Sequence, residues 1–186
     1  ADYITINISS PNTEKLRDFH DQEKLKDLLL SLNKIKKKNK TNVPLLLKVS
    51  PDINDNHIGE ITDLAIANDI SAIILTNTTT NNKENLKSEI RKETGGLSGE
   101  PLREISTNMI KKFYKKLNGK IPIIGVGGVK SGKSAYEKII AGASLLQLYT
   151  GFVYRGPSTV KYIKKELIQI LKSEGIKNIK DAIGKG

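Results

Sequence analysis

Cysteine is absent from this chain of 186 residues, and so is tryptophan. Without a thiol there is no disulfide framework, no thiolate nucleophile and no cysteine metal site. Histidine is nearly absent as well. His20 and His57 stand in separate polar stretches with no second ligand at metal spacing, so both read as surface residues and no metal is expected. Arginine is scarce: of 31 basic residues only Arg17, Arg91, Arg103 and Arg155 carry a guanidinium. Readers of phosphates and bases favour that bidentate fork. The net charge of +11 therefore reads as a solvated, lysine-studded surface, with no nucleic acid expected as partner. Long apolar runs are missing too. None approaches the ~18 residues of a membrane-spanning helix. The opening ADYITIN lacks the basic flank and apolar length of a signal peptide, so this stretch reads as soluble.

What is present suits one domain, or part of one: 37% of the residues are hydrophobic, enough for a real core. Five short runs rich in Ile, Leu and Val predict strands at Tyr3 to Asn7, Leu45 to Val49, Ala72 to Thr76, Ile121 to Val126 and Leu145 to Tyr149. Near-continuous apolarity, without alternation, is the pattern of strands covered on both faces, hence parallel. Helical spacing fills the gaps. Leu25, Leu28, Leu29, Leu32 and Ile35 share one helix face, as do Leu102, Ile105, Met109 and Phe113, and Ile163, Leu167, Ile170 and Leu171. A weaker helix covers Ile58 to Asn68, and Met109 and Phe113 read as core filler. The polar stretch from Thr78 to Gly99 has no helical period, and a loop that long is usually functional. Alternating strands and helices mean α/β architecture, an open doubly wound sheet or a (β/α) barrel. Five strands cannot close an eight-stranded barrel, yet the chain starts inside a strand, as though cut from something longer.

Polar residues gather where each run ends: Asn7, Ser9 and Ser10; Lys48; Thr76, Asn77 and Thr78; Gly127 and Gly128; Tyr149 and Thr150. Both α/β architectures keep their active sites at that end. Lys48, inside LLLKV, is either a buried cation awaiting an anionic partner or an edge-strand lysine that snorkels to water. TNTTT is either a set of amides and hydroxyls suited to a planar heterocycle or a polar turn. GVGGVKSGKS also has two readings. Gly127, Gly132, Lys133 and Ser134 satisfy the P-loop pattern of a nucleoside-triphosphate-binding protein. Against that, no other predicted strand ends directly in the acidic residue needed to hold magnesium. Alternatively, Gly127-Gly128 and Tyr149-Thr150-Gly151 form the paired phosphate loops after the last two strands of a barrel, suited to a monophosphate such as that of FMN.

Seven motifs in order, NISSPNTEKLR, LLLKVSPD, ILTNTT, GGLSGEPLR, IPIIGVGGV, AGASLLQLYTG and the closing DAIG, resemble class 2, quinone-dependent dihydroorotate dehydrogenases from the first residue to about Gly184. The resemblance implies a (β/α)8 TIM barrel carrying FMN, of which residues 1–186 supply the last five strands. Three strands and a membrane-associating helical segment would lie upstream, in the same or a separate chain. It implies oxidation of dihydroorotate to orotate, with hydride transfer to FMN and reoxidation by a quinone. It implies attachment to a membrane, the bacterial inner membrane at its cytoplasmic face or the mitochondrial inner membrane. It makes Ser10 the catalytic base and Thr13, or a water it holds, a proton relay. Asn7, Asn12, Asn77 and Thr78 become substrate contacts. Asn7, Lys48, Thr76, Ser98, Gly99, Val126, Gly127, Gly128, Tyr149 and Thr150 become flavin contacts, Lys48 as the cation beside flavin N1. Gly151 and Val153 fall near the quinone path. A P-loop protein and a non-catalytic half-barrel binding module are the alternatives.

Overall fold

The apolar runs form strands and the periodic segments between them form helices. The computed structural model describes residues 1–81, 83–84 and 86–186. Among these, β1 (Ile4–Asn7), β2 (Leu45–Val49), β3 (Ala72–Leu75), β4 (Ile123–Val126) and β5 (Ala143–Gln147) make one sheet in the order 1-2-3-4-5, every neighbouring pair parallel. The crossovers are α1 (Gln22–Lys38), α2 (Asp55–Ala67), α3 (Arg103–Leu117) and α4 (Gly132–Ile140). After β5 come α5 (Thr150–Arg155) and α6 (Thr159–Ser173). A doubly wound sheet reverses its strand order at a switch point. Here each new strand joins the same edge, which is how the wall of a (β/α) barrel grows. The fold is α/β, with five consecutive strands of a barrel.

Side-chain alternation along the central strands separates two apolar layers. Leu45, Leu47 and Val49 of β2 turn outward with Ile73 and Leu75 of β3, under Leu25 and Leu29 of α1, Ile61 of α2 and Phe113 of α3. Leu46, Ala72, Ile74 and Ile124 turn the other way and pack with Val126. Lys48 follows Leu46 by two residues and pairs with Ile74, so it shares this inner face. Met109 and Phe113 are core residues as expected, Phe113 fully buried. The α1 stripe ends sooner than its spacing implied, since Ile35 is 54% exposed.

Three further expectations change. First, only β2, β3 and β4 are covered almost throughout, whereas β1 and β5 leave residues such as Ile4 and Leu145 exposed. They are the sheet's edges, with a neighbour on one side only. Second, the fifth strand starts at Ala143, because the register with β4 pairs Ile123 with Ala143 and then shifts. Tyr149 and Thr150 have already left the sheet, and Thr150 opens α5, a helix with no buried residue and therefore no stripe to announce it. Third, His20 is not on the surface. A short 3-10 turn (Leu16–His20) carries it inward, where it is 6% exposed and its Nε2 accepts the Ser50 N–H at 3.4 Å. Desolvation, only partly offset by its hydrogen bond with the Arg17 backbone, lowers its pKa to about 4.

The long polar segment behaves as a loop. An antiparallel bridge between Thr79 and Leu97 closes its neck, and one 3-10 turn (Glu89–Lys92) interrupts it. Residues 82 and 85 of the expected loop lie outside the described residues.

Candidate functional site

Where the apolar runs stop, the loops at the carboxyl ends of the strands enclose a cavity of about 430 Å³. Lys48 and Val126 come from the inner faces of β2 and β4, Thr76, Asn77 and Thr78 from the end of β3, and Ser98 and Gly99 from the returning loop. Gly127 and Gly128 follow β4, and Tyr149 and Thr150 follow β5. Nine of the ten expected flavin contacts thus line one cavity, together with Asn77 and Thr78. The tenth, Asn7, stands beside it: Asn77 Nδ2 donates to Asn7 Oδ1 at 3.3 Å and to Ser9 Oγ at 3.0 Å, and Ser9 Oγ donates to Asn7 Oδ1 at 2.8 Å.

Ser10, Asn12 and Thr13 do not line this cavity; they lie on the loop after β1. Ser10 Oγ accepts the Asn12 N–H at 3.3 Å, a local turn bond. This loop touches the long returning one. A Cβ on Gly96 would fall 2.9 Å from Pro11 and 1.8 Å from the Thr78 hydroxyl, so only glycine lets the segment pass between them.

Two networks behind the cavity escaped the sequence reading. In the first, Arg17 reaches across three loops. It donates to the Ser9 carbonyl at 3.3 Å, the Thr78 carbonyl at 3.1 Å and Asp52 Oδ2 at 3.0 Å. Asp52 in turn accepts from the Thr80 N–H at 2.9 Å, from Asn81 Nδ2 at 3.2 Å and from the Thr79 hydroxyl. In the second, Lys138 of α4 is wholly buried and donates to the Arg103 carbonyl at 3.3 Å, to Thr107 Oγ1 at 3.0 Å and to Ser106 Oγ. Desolvation lowers its pKa to about 8; Glu137 opposes that shift and Arg103 adds to it. A signal existed in the helical spacing, since Lys138 lies three residues after Ala135 and directly before Ile139, both buried. Lys48 is a second desolvated cation, half-buried, its pKa lowered by burial.

The P-loop reading fails on the same geometry. Ser131, not a glycine loop, caps α4 in a reciprocal capping box with Ser134. The helix N-terminus that should cradle phosphate is already taken: the Gly132 N–H donates to Glu166 Oε2 at 2.5 Å. A Cβ on Gly132 would meet Glu166 at 2.3 Å, so α6 covers that end, and Lys133 points into solvent.

A family model described as dihydroorotate dehydrogenase matches residues 1–171. The chain belongs to the dihydroorotate dehydrogenase family. It is 43% identical to the mitochondrial dihydroorotate dehydrogenase (quinone) of Arabidopsis thaliana, over 99% of this chain and 41% of that protein. To the mitochondrial dihydroorotate dehydrogenase (quinone) of Mus musculus it is 44% identical, over 99% of this chain and 47% of the relative. A bacterial relative, the dihydroorotate dehydrogenase (quinone) of Christiangramia forsetii, is 46% identical over 91% of this chain and 49% of its own length. The chain thus spans about half the length of the relatives it matches. The crystal structure of ligand-free dihydroorotate dehydrogenase from Eimeria tenella superimposes with a TM-score of 0.94 at 38% identity, covering 100% of this chain and 55% of that one. Membership of the family agrees with the sequential strand order and with the cavity at the carboxyl ends of the strands. Among the described residues no helix is long and apolar enough to cross a membrane.

Proposed function

We propose that this chain supplies the flavin-binding part of a quinone-dependent dihydroorotate dehydrogenase, which oxidises dihydroorotate to orotate in pyrimidine biosynthesis. The observation that carries the reading is Lys48, a half-buried cation on the inner face of β2, opening into the same cavity as Asn77, Thr78 and the Gly127–Gly128 turn. A cavity of about 430 Å³ is of the size that takes a cofactor. The donor set suits FMN: hydroxyls and amides along one wall for the ring and ribityl chain, and a turn with φ of 118° and 70° at successive glycines where backbone can approach a phosphate.

FMN, when bound, supplies the acceptor for a hydride. The protein's own part starts with Lys48, whose fixed charge stabilises negative charge gathering at the cavity floor. Ser10 removes the proton from C5 of the substrate. A serine hydroxyl is a weak base, so its own proton has to leave as the new one arrives, and Thr13 provides the relay. Asn7, Asn12, Asn77 and Thr78 hold the substrate ring and carboxylate. Thr76, Ser98, Gly99, Val126, Gly127, Gly128, Tyr149 and Thr150 complete the flavin cradle. A quinone as second acceptor and attachment to a membrane, through a segment outside this chain, belong to the same reading.

The test uses the full-length protein. Purified, it should show flavin absorbance and reduce a dye when given dihydroorotate. Ser10→Ala should keep its flavin yet slow flavin reduction by about 10²-fold or more, the usual scale of a lost general base. A stable protein free of flavin would point instead to a binding module, and an unchanged reduction rate in Ser10→Ala would refute the base assignment.

A further inference from the structure

Lys138 is buried and cationic, yet among the described residues no carboxylate forms an ion pair with it. The nearby Glu137 is engaged elsewhere, accepting from Arg103 Nε at 3.3 Å. A buried ammonium needs a full set of acceptors and gains from any anion within reach. Its acceptors are a carbonyl and two hydroxyls on the first turns of α3, and one of them leads straight to the cavity. Ser106 Oγ, which takes a hydrogen bond from Lys138, has its one proton within reach of two carbonyl oxygens, that of Arg103 at 3.2 Å and that of Gly127 at 3.3 Å, and the second contact reaches the cavity turn.

That contact fixes a direction. In a planar trans peptide the C=O and the following N–H point opposite ways. The Gly127–Gly128 peptide is trans and its carbonyl is turned back toward α3, so the Gly128 N–H points away from α3, on a turn whose two glycines line the cavity. This N–H donates to none of the described residues. Gly128 is packed closely on α3: a Cβ there would lie 2.5 Å from Arg103 Cβ and 2.8 Å from its Cα.

We propose that Lys138 is the positioning residue of the phosphate site: acting through Ser106, it holds the Gly127 carbonyl away from the cavity so that the Gly128 N–H is presented to a phosphate monoester, and its positive charge underlies the turn that receives that dianion. The inference rests on the flavin reading above and extends it from the residues that touch the ligand to the one that aligns them.

Discrimination between FMN and riboflavin, which differ only by the phosphate, separates this role from general support of the fold. Affinity of both flavins is measured on the full-length apoprotein by quenching of flavin fluorescence, for the wild type, Lys138→Met and Ser106→Ala. Lys138→Met should weaken FMN by about tenfold or more while changing riboflavin by less than about twofold, the loss expected when charge-assisted donation to an anion is disturbed. Ser106→Ala, which keeps the cation and removes the bridge, should lower the ratio of FMN to riboflavin affinity in the same direction, and it carries the test if Lys138→Met does not fold. Equal losses for both flavins, or no loss for either, would overturn the proposal. A wild-type protein that binds neither flavin defeats the flavin reading itself, an outcome visible before any variant is made.

Discussion

Removing the carboxylate of Asp52 should be far more damaging than removing any surface acid. Its side chain is only 10% exposed and accepts from Arg17, Thr79, Thr80 and Asn81, joining the loops that follow β1, β2 and β3. A hydrogen bond to a charged group contributes about 1.5–3 kcal/mol, and neighbouring bonds are not additive. Breaking a fully buried pair costs about 3–5 kcal/mol, but Arg17 is 26% exposed and keeps the Ser9 and Thr78 carbonyls, so water relieves part of that cost. Asp52→Ala should therefore destabilise the protein by about 3 kcal/mol, lowering Tm by roughly 6 °C at about 2 °C per kcal/mol for a chain of this size or larger. The comparison is Asp18→Ala, which breaks an ion pair of 3.4 Å between Asp18 and Lys24, each about half exposed. Such surface pairs contribute about 0–1 kcal/mol. Thermal and denaturant unfolding of the two full-length variants, side by side with the wild type, measures the difference. Under the proposed function, releasing Thr79, Thr80 and Asn81, the segment next to Asn77 and Thr78, should also raise KM for dihydroorotate at full flavin content. Two variants that melt within a degree of each other would refute the reasoning that burial of this pair, rather than its mere presence, braces the loops.

Other outcomes follow from the same structure. Gly128→Ala drives a Cβ into the Arg103 backbone at a φ of 70°, so the variant should purify with little flavin; Gly119→Ala, at a φ of 76° with nothing within 4 Å, should keep it, and equal flavin content would contradict the cradle. His20, held neutral with its pKa near 4 against 6.5 when unfolded, binds fewer protons in the native state between those values. Its contribution is therefore present above pH 6.5 and lost as pH falls toward 4, by about 2 kcal/mol after allowing for partial screening by solvent. His20→Gln should flatten that acid limb in denaturant unfolding measured from pH 4 to 7; an unchanged slope would show that His20 is not buried neutral.

The spacing of apolar residues was enough to place the strands near β1 to β4 and the faces of α1, α2, α3 and α6, because those elements bury one continuous stripe or run. It failed where burial gives no such signal. α5 has no buried residue, and β5 is an edge whose start is set by its register with β4. His20 and Lys138 were missed for a related reason: polar neighbours in sequence suggest solvent, while a short 3-10 turn and a helix face carry these two side chains inward.

By itself, the sequence determined the architecture and which strand ends border one cavity. Alternating runs and periodic segments permit little besides an α/β fold, and the residues that end each run gather at one end because all the strands are parallel. The ordered motifs pointed to the family. Tertiary structure alone decided between the two readings of the glycine-rich segment, since only packing shows that Glu166 of α6 occupies the N-terminus of α4 while Gly127 and Gly128 face the cavity. It also decided which cations matter. A lysine in a string of letters has the same charge everywhere, but its energy depends on the solvent it has lost. That places Lys48 and Lys138 apart from Lys133 and the rest of the lysine-rich surface.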